Sequence, residues 1–204
     1  MTEIENNKIV FASKNKGKIR ELKALLTGMN VDLLSLQDYP DAPSIREDGH
    51  TFLENALKKA RIISEYTGRT VIADDSGLEV DCLEGAPGIH SARYSGVGAT
   101  DGKNILKLLE EMDGVPGEQR GAAFRCVLVL YRTDGTFETF EGELRGTISR
   151  EPSGNEGFGY DPVFIVPGYG MTVAELDPGT KNMISHRGLA FAKLKKSLLE
   201  RQTI

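Results

Sequence analysis

The run Val71-Ile72-Ala73-Asp74-Asp75-Ser76-Gly77 constrains this chain more than any other stretch. A short apolar segment ends abruptly in two adjacent carboxylates. The segment suits a strand buried on both faces. In open α/β sheets ligands bind where strands end. The run therefore reads as a strand that delivers Asp74 and Asp75 to a cleft, where paired carboxylates suit Mg²⁺ and phosphate chemistry. The same Asp-Asp-Ser-Gly letters are also turn residues. Adjacent strand residues face opposite sides, so if the strand continues through both acids, only one of them points into the cleft.

A chain of 204 residues holds one domain, in one body or two lobes. At that length folding buries about 70% of the unfolded surface, so no disulfide or metal staple is needed for stability. The formal net charge of -5 argues against a general nucleic-acid binder, while a local basic cleft can still take a phosphorylated ligand. Cys82 and Cys126 lie far apart, and Cys126 sits in the apolar run 124–131, which suits a small buried thiol. No apolar run approaches the ~20 residues of a membrane span, and residues 1–8 lack a signal-peptide core. These features predict a cytoplasmic protein with no membrane contact.

Lys8 to Ala12 reads as a buried strand. The polar loop Ser13-Lys14-Asn15-Lys16-Gly17-Lys18 follows. Ile19, Leu22, Leu25 and Leu26 then repeat at helical spacing, with Gly28 as the stop. Strand, polar loop, helix is a phosphate-cradle order, because helix-start N–H groups attract anions and lysines add charge. Neither the P-loop pattern nor Gly-x-Gly-x-x-Gly is present here. Val31 to Leu36 reads as a second strand, and 37–49 as a loop. Thr51 and Glu54 form a capping box for a helix with Leu53, Ala56, Leu57, Ala60 and Ile63 as its inner stripe, closed by Gly68. The box accounts for Glu54. Glu47 has no such structural duty and is the preferred metal ligand of this region.

After the opening run, Leu78 to Asp81 reads as a separate short strand beyond an Asp-Asp-Ser-Gly bend. The segment 85–98 is long and irregular, a form often functional. His90 lies within it, with no nucleophile motif beside it. Asn104 to Met112 is helical. Ala123 to Tyr131 is the strongest strand signal, Asp134-Gly135 a hairpin turn, Thr136 to Glu141 its return, and Glu143 to Ser149 a further strand. The second half is thus antiparallel and the first alternates strands with helices, which predicts a mixed sheet. A second Gly-rich loop, 154–162, carries Phe158, Tyr160 and Asp161; its glycines permit close backbone approach and an aromatic face can stack on a base. Val163 to Val166 reads as a strand, Thr172 to Leu176 as a short helix, and Lys181 as part of a polar loop. Ser185 caps the last helix, whose stripe is Phe191, Leu194 and Leu198. His186 and Arg187 fall in its first turn, where cations oppose the helix dipole unless an acceptor-rich ligand compensates.

Together these pieces resemble the inosine triphosphate pyrophosphatase family. The resemblance rests on Ser13-x-Asn15-x-x-Lys18, Thr51-Phe52-x-Glu54-Asn55-Ala56, Ala73-Asp74-Asp75-Ser76-Gly77-Leu78, Gly85-Ala86-Pro87-Gly88-Ile89, Ser91-Ala92-Arg93-Tyr94-Ser95-Gly96, Gly157-Phe158-Gly159-Tyr160-Asp161-Pro162 and Ser185-His186-Arg187-Gly188. These motifs run through nearly the whole chain in the family's order. The resemblance implies a single 1–204 domain of α/β class, with an elongated mixed β-sheet flanked by helices and two lobes about a central cleft. It implies a homodimer and Mg²⁺-dependent hydrolysis of ITP, dITP and XTP to the monophosphate and pyrophosphate, which keeps these noncanonical purine nucleotides out of DNA and RNA.

Residue roles also follow from the resemblance. Asp75 takes the place of the general base and metal-site carboxylate, with Glu47 as the other metal ligand and Asp48 or Glu54 as substitutes. Ser13, Lys14, Asn15, Lys16, Gly17, Lys18 and Ser76 match phosphate-binding positions. Phe158, Gly159, Tyr160, Asp161, Lys181, His186 and Arg187 match nucleoside-binding positions. Two departures stand out. Glu47-Asp48-Gly49 replaces the family's common Glu-Thr-Gly, and His90 stands where Tyr is frequent, so no role passes to His90. Base choice has a physical account: Arg187 only donates, so it suits a 6-oxo acceptor and opposes the amino group of adenine.

Overall fold

Residues 8–202 are described by the computed structural model of the chain, the last two through their backbone alone. Residues 1–7, read above for a leader, lie outside the described residues. Seven strands form one mixed sheet in the order β2-β1-β3-β4-β5-β6-β7. They are β1 Lys8–Phe11, β2 Asp32–Ser35, β3 Thr70–Val80, β4 Gly121–Tyr131, β5 Phe137–Ile148, β6 Phe164–Val166 and β7 Met171–Thr172. β1 pairs in parallel with β2 and β3, while β6 pairs antiparallel with β5 and β7. The helices are α1 Lys16–Leu25, α2 Phe52–Thr67, α3 Asp101–Glu111, α4 Pro178–Ile184 and α5 His186–Gln202. The expected mixed sheet with flanking helices is therefore present.

Contacts group the described residues into two compact units. The first runs to Asp75 and adds Cys126–Glu141 and the residues from Gly188; the second holds Ser76–Arg125 and Gly142–Arg187. In the first unit, period-2 alternation sorts the strand side chains onto two faces. Ile9, Phe11, Ile72, Cys126, Leu128 and Leu130 pack with Ile19 and Leu22 of α1 and with Phe191 and Leu194 of α5. Val10, Ala12, Val71, Ala73 and Val129 pack with Ala56, Ala60 and Ile63 of α2. The second unit has its own core, in which Leu78, Val80, Phe124, Ile148, Tyr160 and Phe164 meet Ile105 and Leu108 of α3.

Several local expectations change. The Asp-Asp-Ser-Gly stretch is neither a turn nor a bend: β3 runs unbroken from Thr70 to Val80, so Leu78 to Asp81 is no separate strand. Burial on both faces holds these turn-prone letters extended. β5 is likewise one strand through Gly142 rather than two. α1 begins at Lys16, inside the expected loop, because the Asn15 side chain accepts from the Gly17 and Lys18 amides. Lys181 lies on helix α4, capped by Asp177 with Pro178 at its first turn, not in a polar loop. Val173–Glu175 is a single 3₁₀ turn with a Thr172–Glu175 capping box. Thr51 caps α2 as expected, but Glu54 reaches the amide of His50 at 2.7 Å, one residue beyond the box partner. The cysteines are free, Cys126 buried and Cys82 exposed.

Candidate functional site

The strand alternation decides where the two acids go. Asp74 keeps step with Ile72 and faces α1; Asp75 keeps step with Val71 and Ala73 and faces α2. Each meets a lysine there. Lys18 Nζ lies 2.6 Å from Asp74 Oδ2, and the Asp74 side chain is only 2% exposed. Lys59 Nζ lies 3.5 Å from Asp75 Oδ1 and 2.6 Å from Glu47 Oε1. Asn55, one helical turn before Lys59, donates from Nδ2 to Asp75 Oδ2 at 3.0 Å. Glu47 is thus brought to Asp75 through a shared cation. Asp48 instead pairs with Lys58 at 2.5 Å, and this contact draws its carboxyl below the usual range. Of the acids in this region, Glu47 and not Asp48 or Glu54 shares a partner with Asp75.

Burial pushes the Asp75 carboxyl upward; Lys59 opposes that and the Glu47 charge adds to it. For Lys59 burial acts downward, but the charges of Asp75, Asp74 and Glu47 outweigh it and hold the ammonium above its usual value. A raised carboxylate beside a firmly charged lysine is a pairing that supports proton transfer at the acid.

At the start of α1, Ser13 is half-buried and accepts from the Asn15 amide at 3.2 Å. Lys14, Asn15 and Lys16 are exposed, while Gly17 and Lys18 are half-buried in the first turn. The Gly17 and Lys18 amides are engaged by the Asn15 cap, so the anion capacity of this helix start rests more on its lysines than on those two N–H groups. Ser76 follows Asp75 on β3 and is half-buried.

The second unit gathers the residues expected to meet the base. Asp161 Oδ2 accepts from the Phe158 amide at 2.9 Å and from Lys181 Nζ at 2.8 Å. A Cβ on Gly157, whose φ is +85°, would run into that carboxylate. Burial raises the Asp161 carboxyl, against the pull of Lys181. Lys181 Nζ stands 5.0 Å and the Arg187 guanidinium 4.8 Å from the centre of the Phe158 ring. The Gly159 amide donates to Asp101 Oδ2 at 2.7 Å, so the N-terminus of α3 also pins this loop. His186 is buried and stacks on Phe124 with ring centres 4.8 Å apart. Tyr160 is packed in the core with its hydroxyl donating to the Ser91 carbonyl, and burial drives its phenol pKa up. Among the expected site residues, Phe158, Asp161, Lys181 and Arg187 are gathered directly, whereas the Tyr160 side chain serves the core.

Two residues of the first cluster, Lys59 and Asn55, were missed as site residues in the sequence. A signal was available. They sit four apart on the α2 stripe that also carries Ala56, Ala60 and Ile63, and polar side chains on a buried stripe are the informative exception.

Comparison with known proteins follows the same lines. The Ham1 family model matches residues 9–197. A dITP/XTP pyrophosphatase of Geobacter sulfurreducens is 53% identical over 94% of this chain and 96% of its own. A dITP/XTP pyrophosphatase of Vibrio cholerae is 49% identical over 96% and 98%. The solved structure of a HAM1 protein from Coxiella burnetii superposes with a TM-score of 0.87 at 42% identity, covering 95% of this chain and 98% of that one. By motif order, fold and near-complete alignment, the chain belongs to the Ham1 family.

Proposed function

We propose that the chain is a nucleoside triphosphate pyrophosphohydrolase that converts ITP, dITP and XTP to the monophosphate and pyrophosphate, keeping these noncanonical purine nucleotides out of DNA and RNA. Relatives named for dITP and XTP, at about half identity over nearly the full chain, support the activity. The observation that carries the chemistry is the convergence of Glu47 Oε1 and Asp75 Oδ1 on Lys59 Nζ.

That convergence also tests the fit of a metal. Two hard carboxylate oxygens already face one centre of positive charge. Mg²⁺ takes one or two carboxylates together with substrate phosphate oxygens and waters, so Glu47 and Asp75 fit it. When bound, Mg²⁺ neutralises phosphate charge and polarises the phosphoryl group.

Asp75 accepts the proton of the attacking water. The water oxygen bonds to a phosphorus flanking the α–β bridging oxygen, the P–O bond on that side breaks, and the monophosphate and pyrophosphate separate. Burial raises the Asp75 carboxyl, in the direction that makes it a stronger base than an exposed aspartate. Lys18, held against Asp74, and the exposed Lys14 and Lys16 supply positive charge for the phosphates, with Ser13, Asn15, Gly17 and Ser76 beside them in sequence. On the nucleoside, Phe158 stacks, Gly159 and Tyr160 shape the loop, and Asp161 and Lys181 brace it. Arg187, next to His186, donates to the 6-oxo group.

The whole 1–204 chain acts as one functional domain, as a homodimer in the cytoplasm. Among the described residues no helix is long and apolar enough to cross a membrane. The test is pyrophosphate release from dITP, XTP and dATP, with Mg²⁺ and with EDTA. Turnover of dITP and XTP well above dATP, abolished by EDTA, is expected. Equal rates on dATP sink the specificity, and no turnover of any substrate sinks the activity.

A further inference from the structure

Asn55 is wholly buried on α2 and has both ends of its amide committed. Its Nδ2 donates to Asp75 Oδ2 at 3.0 Å, and its Oδ1 accepts from the Gly49 amide at 2.8 Å. The two partners fix the amide's orientation, because a carboxylate only accepts and a backbone N–H only donates. Gly49 is two residues from Glu47. A Cβ there would stand 2.8 Å from Asn55 Oδ1 and 2.8 Å from the Glu54 Cβ, so the loop comes this close only because residue 49 has no side chain.

The contacts close on themselves. Asn55 holds one oxygen of Asp75, Lys59 faces the other, Lys59 also holds Glu47, and the backbone from Glu47 to Gly49 returns to Asn55. Lys59 can be satisfied by solvent or by phosphate in other arrangements. Asn55 cannot, because it is buried and its two partners have opposite hydrogen-bonding character. We infer that Asn55 is the positioning residue that fixes the Asp75 carboxylate and the Glu47 loop relative to one another. It acts through both acids, from a wholly buried position behind them. This inference rests on the reading of Glu47 and Asp75 as the metal-holding pair.

The discriminating variant is Asn55→Asp. It is nearly isosteric and keeps an acceptor for the Gly49 amide, but it turns a carboxylate toward Asp75. Four quantities are compared with wild type: kcat and KM for dITP, the melting temperature, and binding of Mn²⁺ alone, titrated by its electron spin resonance signal in the absence of nucleotide. Losing a residue that orients metal-holding side chains typically costs about 10–100-fold in metal affinity or activity. The expected result is a loss of that size in kcat and in Mn²⁺ affinity, with KM within about threefold. Normal kcat and normal Mn²⁺ affinity per folded molecule overturn the inference and leave Asn55 a packing residue. Wild-type turnover of dITP is measured alongside. If wild type is inactive, the activity reading fails by itself, and the Mn²⁺ titration still judges Asn55. Where Asn55→Asp does not fold, Asn55→Ala and Gly49→Ala make the same comparison, and normal catalysis with normal Mn²⁺ binding in either overturns it.

Discussion

Asp74 and Asp75 are consecutive residues of one strand, yet they belong to opposite faces of it and answer to different lysines: Lys18 at 2.6 Å for the first and Lys59 at 3.5 Å for the second. The strand's period of two turns an adjacent pair of acids into two separate jobs.

Asp75 is expected to be dispensable for folding and indispensable for turnover. Its carboxyl is raised by burial, so the neutral isostere in Asp75→Asn removes a desolvated charge. The melting temperature should hold or rise. Pyrophosphate release from dITP should fall by about a hundredfold to ten-thousandfold, the range of general-base contributions. Near-normal turnover would rule out Asp75 as the base.

Lys18 should carry both stability and binding. Lys18→Met strips a cation from a carboxylate that is 2% exposed. Loss of one partner of a fully buried pair costs about 3–5 kcal/mol. Lys18 itself keeps some access to water, so about 2 kcal/mol is expected from urea unfolding. Adding Asp74→Asn should recover part of that loss while the KM for dITP stays high. A double variant with normal KM would limit Lys18 to a structural role.

Arg187 should govern which base is accepted. Arg187→Met removes the donors but keeps the length of the side chain against Phe158. The ratio of kcat/KM for dITP over dATP should drop by at least about tenfold, driven by the dITP term. An unchanged ratio would place base selection elsewhere.

Asp161 gives a pH signature in stability. Its folded carboxyl titrates above the ordinary 3.8 because burial outweighs the pull of Lys181. Between 3.8 and the raised value, the folded state holds a proton that the unfolded state has released. Stability from this group therefore falls as pH rises through that window. Asp161→Asn lacks the titration, so the stability of wild type relative to this variant should shrink from pH 4 upward in urea melts. A gap that widens with pH would mean that the Lys181 pairing dominates.

Much of this architecture was legible in the letters. Alternating apolar strands, the Thr51 cap, the Gly68 stop and the Asp134-Gly135 turn all fall where local chemistry places them. Gly68 adopts φ +63° as a helix-ending glycine should. The misread strand boundaries share one cause. Asp74 to Gly77 and Gly142 have weak strand propensity, and tertiary pairing overrides it. A Cβ on Gly146 would strike Phe164, so that glycine serves close packing within the strand. In the site, the acids were readable because two adjacent carboxylates directly after an apolar run are conspicuous. Lys59 and Asn55 were hidden by their helix, where a lysine and an asparagine ordinarily face water. Choosing between Asp74 and Asp75 from the residues alone required knowing that the strand continues, which its turn-like composition concealed.

The division of the chain also bears on how the protein comes into being. Phe191 and Leu194, close to the last described residues, complete a core begun by Ile9 and Phe11. During synthesis, therefore, the first unit to be started is the last to be finished. Asp75 and Lys59 leave the ribosome long before the helix that closes one face of their unit. Truncation from the C-terminus should accordingly leave the first-started unit without the helix that closes one face of its core, and the slow step in reaching the native state should be the docking of that helix onto the strands made first.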